Sequence, residues 1–147
     1  MTPELVLFLC SGNYYRSRFA EELFNARARL RGLTWRATSA GLKPPCQTRH
    51  PDHLSPYARE GLRQREIEVV APRAPVDLAP HHLQSAAQIV VLCEREHRAL
   101  LERRNPPPCT PVRYWQVEDI DVTSPLVALA EIETNVERLL HGLIRRG

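Results

Sequence analysis

The chain has 147 residues, 43 % of them hydrophobic, and a formal net charge of +3. This is enough apolar material for one ordinary core, and no linker is long enough to set off a second, so a single domain over residues 1–147 is expected. No stretch approaches a membrane span, and Leu5 to Leu9, preceded by Glu4 and lacking a basic flank, does not read as an export signal; a cytoplasmic protein without membrane association is expected.

Leu5 to Cys10 is too short for a helix core and fits a buried strand. Arg16 to Leu33 carries Phe19, Leu23, Phe24 and Leu30 at helical spacing, which predicts a helix to about Arg31. A second strand follows near Thr34 to Ser39, then a loop rich in Pro44, Pro45, Pro51 and Pro56 and a helix near Leu54 to Gln64. Ala71 to Pro80 holds three more prolines and predicts an irregular crossing, ending in a short helix around His81 to Ser85. Gln88 to Cys93 reads as the third strand and Glu94 to Arg103 as a helix, which Asn105-Pro106-Pro107-Pro108 stops. Pro111 to Trp115 reads as a fourth strand, and Leu129, Ile132, Val136, Leu139, Leu140, Leu143 and Ile144 mark an amphipathic terminal helix. The alternation predicts an α/β fold: a four-stranded parallel sheet between two helical layers, αβα, with ligands bound beyond the C-terminal strand edges.

Between the first strand and first helix stands Cys10-Ser11-Gly12-Asn13-Tyr14-Tyr15-Arg16-Ser17. Backbone N–H groups left free at a helix N-terminus, with the positive end of the helix dipole, attract anions and favour a thiolate at Cys10. Five residues between Cys10 and Arg16 let the loop curl around a tetrahedral oxyanion, its N–H groups pointing inward as a nest. Gly12 allows close backbone approach, Asn13 suits a left-handed turn, and Ser17 can donate to the sulfur. Arg16 can grip two phosphoryl oxygens at once. Residues 11–17 thus form a candidate phosphate-binding loop around a candidate nucleophile.

Cys-x5-Arg-Ser with an internal Gly-Asn, flanked by strand and helix, resembles the low-molecular-weight protein tyrosine phosphatase family, as do Thr38-Ser39-Ala40-Gly41, Gln88 to Leu92 and Tyr114-Trp115-Gln116-Val117-Glu118-Asp119. The resemblance implies a cysteine-dependent phosphomonoester hydrolase acting through a cysteinyl-phosphate, with no metal or organic cofactor. Cys10 is the implied nucleophile, and Arg16 with the loop N–H groups the implied phosphate clamp. Asn13 is implied to hold the loop with Ser39 as partner. Asp119 falls at the family's general-acid position, although Ile120 follows it in place of the usual Pro, and Asp121, two positions on, is the alternative acid. The implied substrate is a phosphorylated protein or a small aryl phosphate, and the implied state a monomer or weak dimer.

The departures from the pattern have expected consequences. Tyr15 stands where the family usually has a second cysteine, which removes the protective disulfide. Arg18 replaces the usual Pro and is expected to add positive charge beside the pocket. The paired tyrosines after the acid are absent; Tyr14 and Tyr15 either supply an aromatic wall instead or only shape the loop. Arsenate reductases share the loop, and a phosphate-binding relative without turnover is a further reading. Reductases need relay thiols, however, and Cys46, Cys93 and Cys109 show no paired redox or metal spacing. Cys46 and Arg49, in the proline-rich loop, are candidates to face substrate without an assigned role. The arginines are spread along predicted helices with no aromatic-interleaved stripe, so no nucleic-acid partner is expected. The six histidines show no metal spacing.

Overall fold

A computed structural model of the protein describes residues 3–70 and 72–146. Met1, Thr2 and Gly147, within the single-domain expectation, and Ala71, at the start of the expected crossing, lie outside the described residues. The strands are β1 (Leu5–Cys10), β2 (Arg36–Gly41), β3 (Gln88–Val91) and β4 (Val112–Tyr114), in the order β2-β1-β3-β4, all parallel. The helices are α1 (Arg16–Leu30), α2 (Cys46–Arg49), α3 (Pro56–Arg63), α4 (Pro80–Ser85), α5 (Glu94–Glu102) and α6 (Pro125–Arg146).

The central strand β1 is buried on both faces, so it reads as a continuous apolar run with no alternation. Val6, Phe8 and Cys10 join Phe19, Leu23 and Phe24 of α1, Leu62 of α3 and Ile132 and Val136 of α6 in one core. Leu7 and Leu9 point the other way, toward Leu83 of α4, Ile89 and Val91 of β3 and Leu101 of α5. This is the expected three-layer αβα arrangement. Register pairs Cys10 with Gly41, so β1 and β2 end level and present their C-terminal edge to the loop that follows Cys10.

Three expectations need correction. Leu30 belongs to the periodic apolar set but is 85 % exposed, because the packed face of α1 ends at Ala28. Ile144 is likewise 45 % exposed near the end of α6. β2 starts two residues later than expected, where the N–H of Arg36 bonds to the carbonyl of Glu4 at 3.0 Å and sets the pairing with β1. α2, a single turn in the proline-rich loop, left no periodic signal to read.

Candidate active site

The segment from Cys10 to Arg16 joins the central strand to α1, whose first turn contains no acidic residue and whose N-cap, Tyr15, makes no side-chain cap. Among the described residues, none of the backbone N–H groups of Ser11 to Tyr15 donates to a protein acceptor. Five such donors in one tight loop at a helix N-terminus make an anion nest.

Asn13 shapes the nest. Its φ of +52° is left-handed, and its fully buried side chain is held on four sides. Nδ2 donates to Ser39 Oγ at 2.8 Å and Ser17 Oγ at 3.0 Å. Oδ1 accepts from the Val76 N–H at 2.9 Å and Arg73 Nη1 at 3.1 Å. Since Ser17 Oγ accepts from Asn13, its own hydrogen is free for Cys10 Sγ, 2.9 Å away. Gly12 leaves room for the His50 ring: a Cβ there would lie 2.4 Å from His50 Nε2, so that side chain would have to move.

Arg16 is almost fully buried. Its Nη1 donates to Glu96 Oε2 at 2.9 Å and the Val117 carbonyl at 2.8 Å, and its Nη2 to Glu96 Oε1 at 3.0 Å. Asp119 Oδ2 lies 3.4 Å from Nη2, and Asp119 Oδ1 accepts from the Ile120 N–H at 2.8 Å. Burial alone would push the Glu96 carboxyl up, but hydrogen bonds with His97, Arg16 and Ser11 and the Arg16 charge hold it well below the usual carboxylate range.

These groups border a cavity of about 320 Å³, lined by Cys10, Ser11, Gly12, Tyr14, Tyr15 and Arg16 on one side. From other segments His50, Ser55, Pro56, Tyr57, Asp119 and Ile120 complete the lining. Tyr14 stacks on His50, with ring centroids 4.4 Å apart and planes within 9°. Burial, and then the charge of Asp119, push the Tyr15 phenol up to about 12, so it stays neutral. Of the two candidate acids only Asp119 borders the cavity; Asp121 does not.

Some sequence expectations shift here. Arg18 does not line the cavity: it is buried behind the loop, within electrostatic reach of Cys10, and donates to the carbonyls of Asn13 at 3.3 Å, His53 at 2.8 Å and Arg73 at 2.8 Å. Burial and then the neighbouring Arg73 pull its pKa down to about 10. Cys46 does not face substrate, since its thiol packs against the Gly41 backbone and is fully buried. Burial and then Asp77 push that thiol up to about 12. Arg49 is exposed and outside the cavity lining. Sequence reading missed Glu96, His97, Arg73, His50 and Tyr57. Glu96 and His97 resemble ordinary first-turn residues of α5, and Arg73 lies in the irregular crossing, so only the fold brings them to the loop.

The family model for low molecular weight phosphotyrosine protein phosphatase matches residues 5–145. The chain belongs to this family. It is therefore a hydrolase of the low-molecular-weight phosphatase type, a cysteine phosphatase with the fold described above. A low molecular weight protein tyrosine phosphatase from T. tengcongensis is 26 % identical, with a TM-score of 0.79 over 95 % of this chain and 99 % of that one. The YwlE arginine phosphatase from Geobacillus stearothermophilus is 21 % identical, with a TM-score of 0.75 over 98 % of this chain and 95 % of that one. A thioredoxin-dependent arsenate reductase from Corynebacterium glutamicum is 18 % identical, with a TM-score of 0.73 over 99 % of this chain and 64 % of that one. Among curated proteins there is no match. In this phosphatase, no helix among the described residues is long and apolar enough to cross a membrane.

Proposed function

We propose that this phosphatase hydrolyses phosphotyrosine in proteins, and small aryl phosphates, through a cysteinyl-phosphate on Cys10. The observation that carries the reading is the Cys10 thiol beside the Ser17 hydroxyl, in a loop of five unpaired N–H groups whose cavity Asp119 also lines. The Cys10 thiolate attacks phosphorus as the ester P–O bond breaks, and Asp119 gives its proton to the leaving oxygen. Asp119 then takes a proton from water as the water oxygen attacks phosphorus; the S–P bond breaks, and thiolate and inorganic phosphate result. The loop N–H groups and Arg16 stabilise the equatorial oxygens throughout, as fixed dipoles and charge. This sequence uses no metal or organic cofactor.

The aromatic lining favours an aryl ester. Tyr14 stacked on His50, with Tyr15, Tyr57 and Ile120, offers flat apolar surface to a ring attached to the phosphoryl oxygen. Arsenate reduction is the weaker reading: the Cys46 thiol meets the loop at the Ser11 carbonyl, 3.8 Å away, but it is fully buried and pushed up to about 12, and Cys93 is fully buried too, whereas a relay needs a thiolate that a reductant can reach. A cytoplasmic location belongs to the same proposal.

The test is metal-free hydrolysis of an aryl phosphate and a phosphotyrosine peptide by wild type, Cys10→Ser and Asp119→Asn. Activity abolished in the first variant and strongly reduced in the second is expected. Clean wild-type protein that binds phosphate without turnover would sink the proposal and leave an anion-binding member of the family. Thiol-dependent release of arsenite from arsenate would favour the reductase.

A further inference from the structure

Arg16 carries five N–H donors, and the fold already uses three. Both Nη1 hydrogens are taken, one by Glu96 Oε2 and one by the Val117 carbonyl, and Nη2 gives one hydrogen to Glu96 Oε1. What is left is the side edge of the guanidinium, Nε and the second Nη2 hydrogen. That edge belongs to the cavity, because Arg16 lines it and the wall residue Asp119 lies beside Nη2. A carboxylate gripping the guanidinium end-on fixes its plane and leaves the side-on pair for a phosphoryl group.

Glu96 is itself oriented. The Ser11 hydroxyl donates to Glu96 Oε1 at 2.8 Å, which uses its single hydrogen. At the 2.9 Å contact between Ser11 Oγ and His97 Nε2 the imidazole must then be the donor. Nε2 of His97 therefore carries a hydrogen, while the other ring nitrogen, Nδ1, is buried without a partner. The chain of donors runs one way, from His97 to Ser11 to Glu96, with His97 Nε2 also facing Glu96 Oε1 directly at 3.6 Å, and meets Arg16 donating from the other side. Ser11 is also a wall of the cavity, so this network reaches the phosphate loop directly.

We infer that Glu96, oriented by His97 through Ser11, is the positioning residue that sets the angle at which Arg16 meets the phosphoryl group. The inference rests on the reading of Arg16 as a phosphate ligand. Two fixed donors matter most when charge spreads onto equatorial oxygens in the transition state, and less for a tetrahedral phosphate that can tilt to suit a loose guanidinium.

The experiment compares wild type, Glu96→Gln and Ser11→Ala in aryl phosphate kinetics and in calorimetric binding of vanadate and inorganic phosphate. Glu96→Gln keeps the size but puts an amide donor against donors. Its kcat is expected to fall about 100-fold with KM moving less than about threefold, the size of a misplaced catalytic group. Vanadate, which copies the five-coordinate state, should lose affinity in step with kcat, while phosphate affinity changes less than about threefold. Ser11→Ala should show the same pattern at about tenfold. A kcat within about twofold of wild type in Glu96→Gln would overturn the inference. So would equal loss of vanadate and phosphate affinity with a lowered Tm, which would mean that Glu96 only supports the fold. Wild type that binds vanadate but hydrolyses nothing would defeat the functional proposal alone, since the vanadate-to-phosphate affinity ratio still tests Glu96. Wild type that binds neither oxyanion would defeat both.

Discussion

Asn13 Nδ2 lies 2.8 Å from Ser39 Oγ, a bond that ties the phosphate loop to β2 across 26 residues of chain. The same Ser39 hydroxyl donates to Glu21 Oε1 at 2.5 Å and accepts from Arg73 Nη2 at 2.9 Å. Asn13→Ala removes four bonds at a fully buried position and leaves the Val76 N–H bare. A loss of about 3 kcal/mol in urea unfolding is expected, the cost of stranding buried polar groups. Asn13→Gly, which keeps the left-handed backbone freedom, should lose a similar amount. A much smaller loss for Gly would mean that backbone conformation, and not the bonding, is what Asn13 supplies.

Asp119→Asn should lower kcat by about 10²- to 10³-fold on an ester with a basic leaving group and much less on an activated one, the signature of lost protonation. Asp121→Asn should stay within about twofold, because Asp121 lies outside the cavity lining. The check is a leaving-group series measured on both variants. A flat series for Asp119→Asn, or a steep one for Asp121→Asn, would reassign the acid.

The depressed Glu96 carboxyl links the site to acid stability. A carboxylate with a folded pKa below its unfolded value, about 4.3, adds stability that is present above that pH and lost as pH falls toward the folded value. Wild-type Tm should therefore drop more steeply below about pH 4 than that of Glu96→Gln, which has no proton to take up. Scanning calorimetry of both proteins across the acid range would show it; parallel curves would refute the linkage.

Iodoacetamide at neutral pH should modify exposed Cys109 and cavity-lining Cys10 while sparing Cys46, whose thiol is buried and held protonated. Inorganic phosphate should protect Cys10 alone. Peptide mapping after alkylation decides this, and native-state labelling of Cys46 would contradict its packing against Gly41.

What could be read from the chain follows from how local each feature is. Cys10 to Ser17 is contiguous, and its turn, dipole and donor chemistry are written in neighbouring residues. The αβα fold was legible because β1 is a short apolar run between turn signals and α6 carries a long apolar stripe. Ser39 was reachable only through the family resemblance. Glu96, Arg73 and His50 were not legible at all: an acidic residue in a first helical turn, an arginine among prolines and a loop histidine each have an ordinary surface explanation. Arg18 was legible as a charge beside the pocket but not as a buried one, because the three backbone carbonyls that receive it come from separate segments.

The Val117 carbonyl that accepts from Arg16 lies two residues before Asp119. The segment that leads from β4 to Asp119 is thus moored to Arg16 and does not hang from the sheet alone. On the proposed mechanism, the distance between Cys10 and Asp119 then depends on where Arg16 sits as well as on the Val117 N–H bond to Leu92, and drift of the guanidinium would detune both ends of the reaction together.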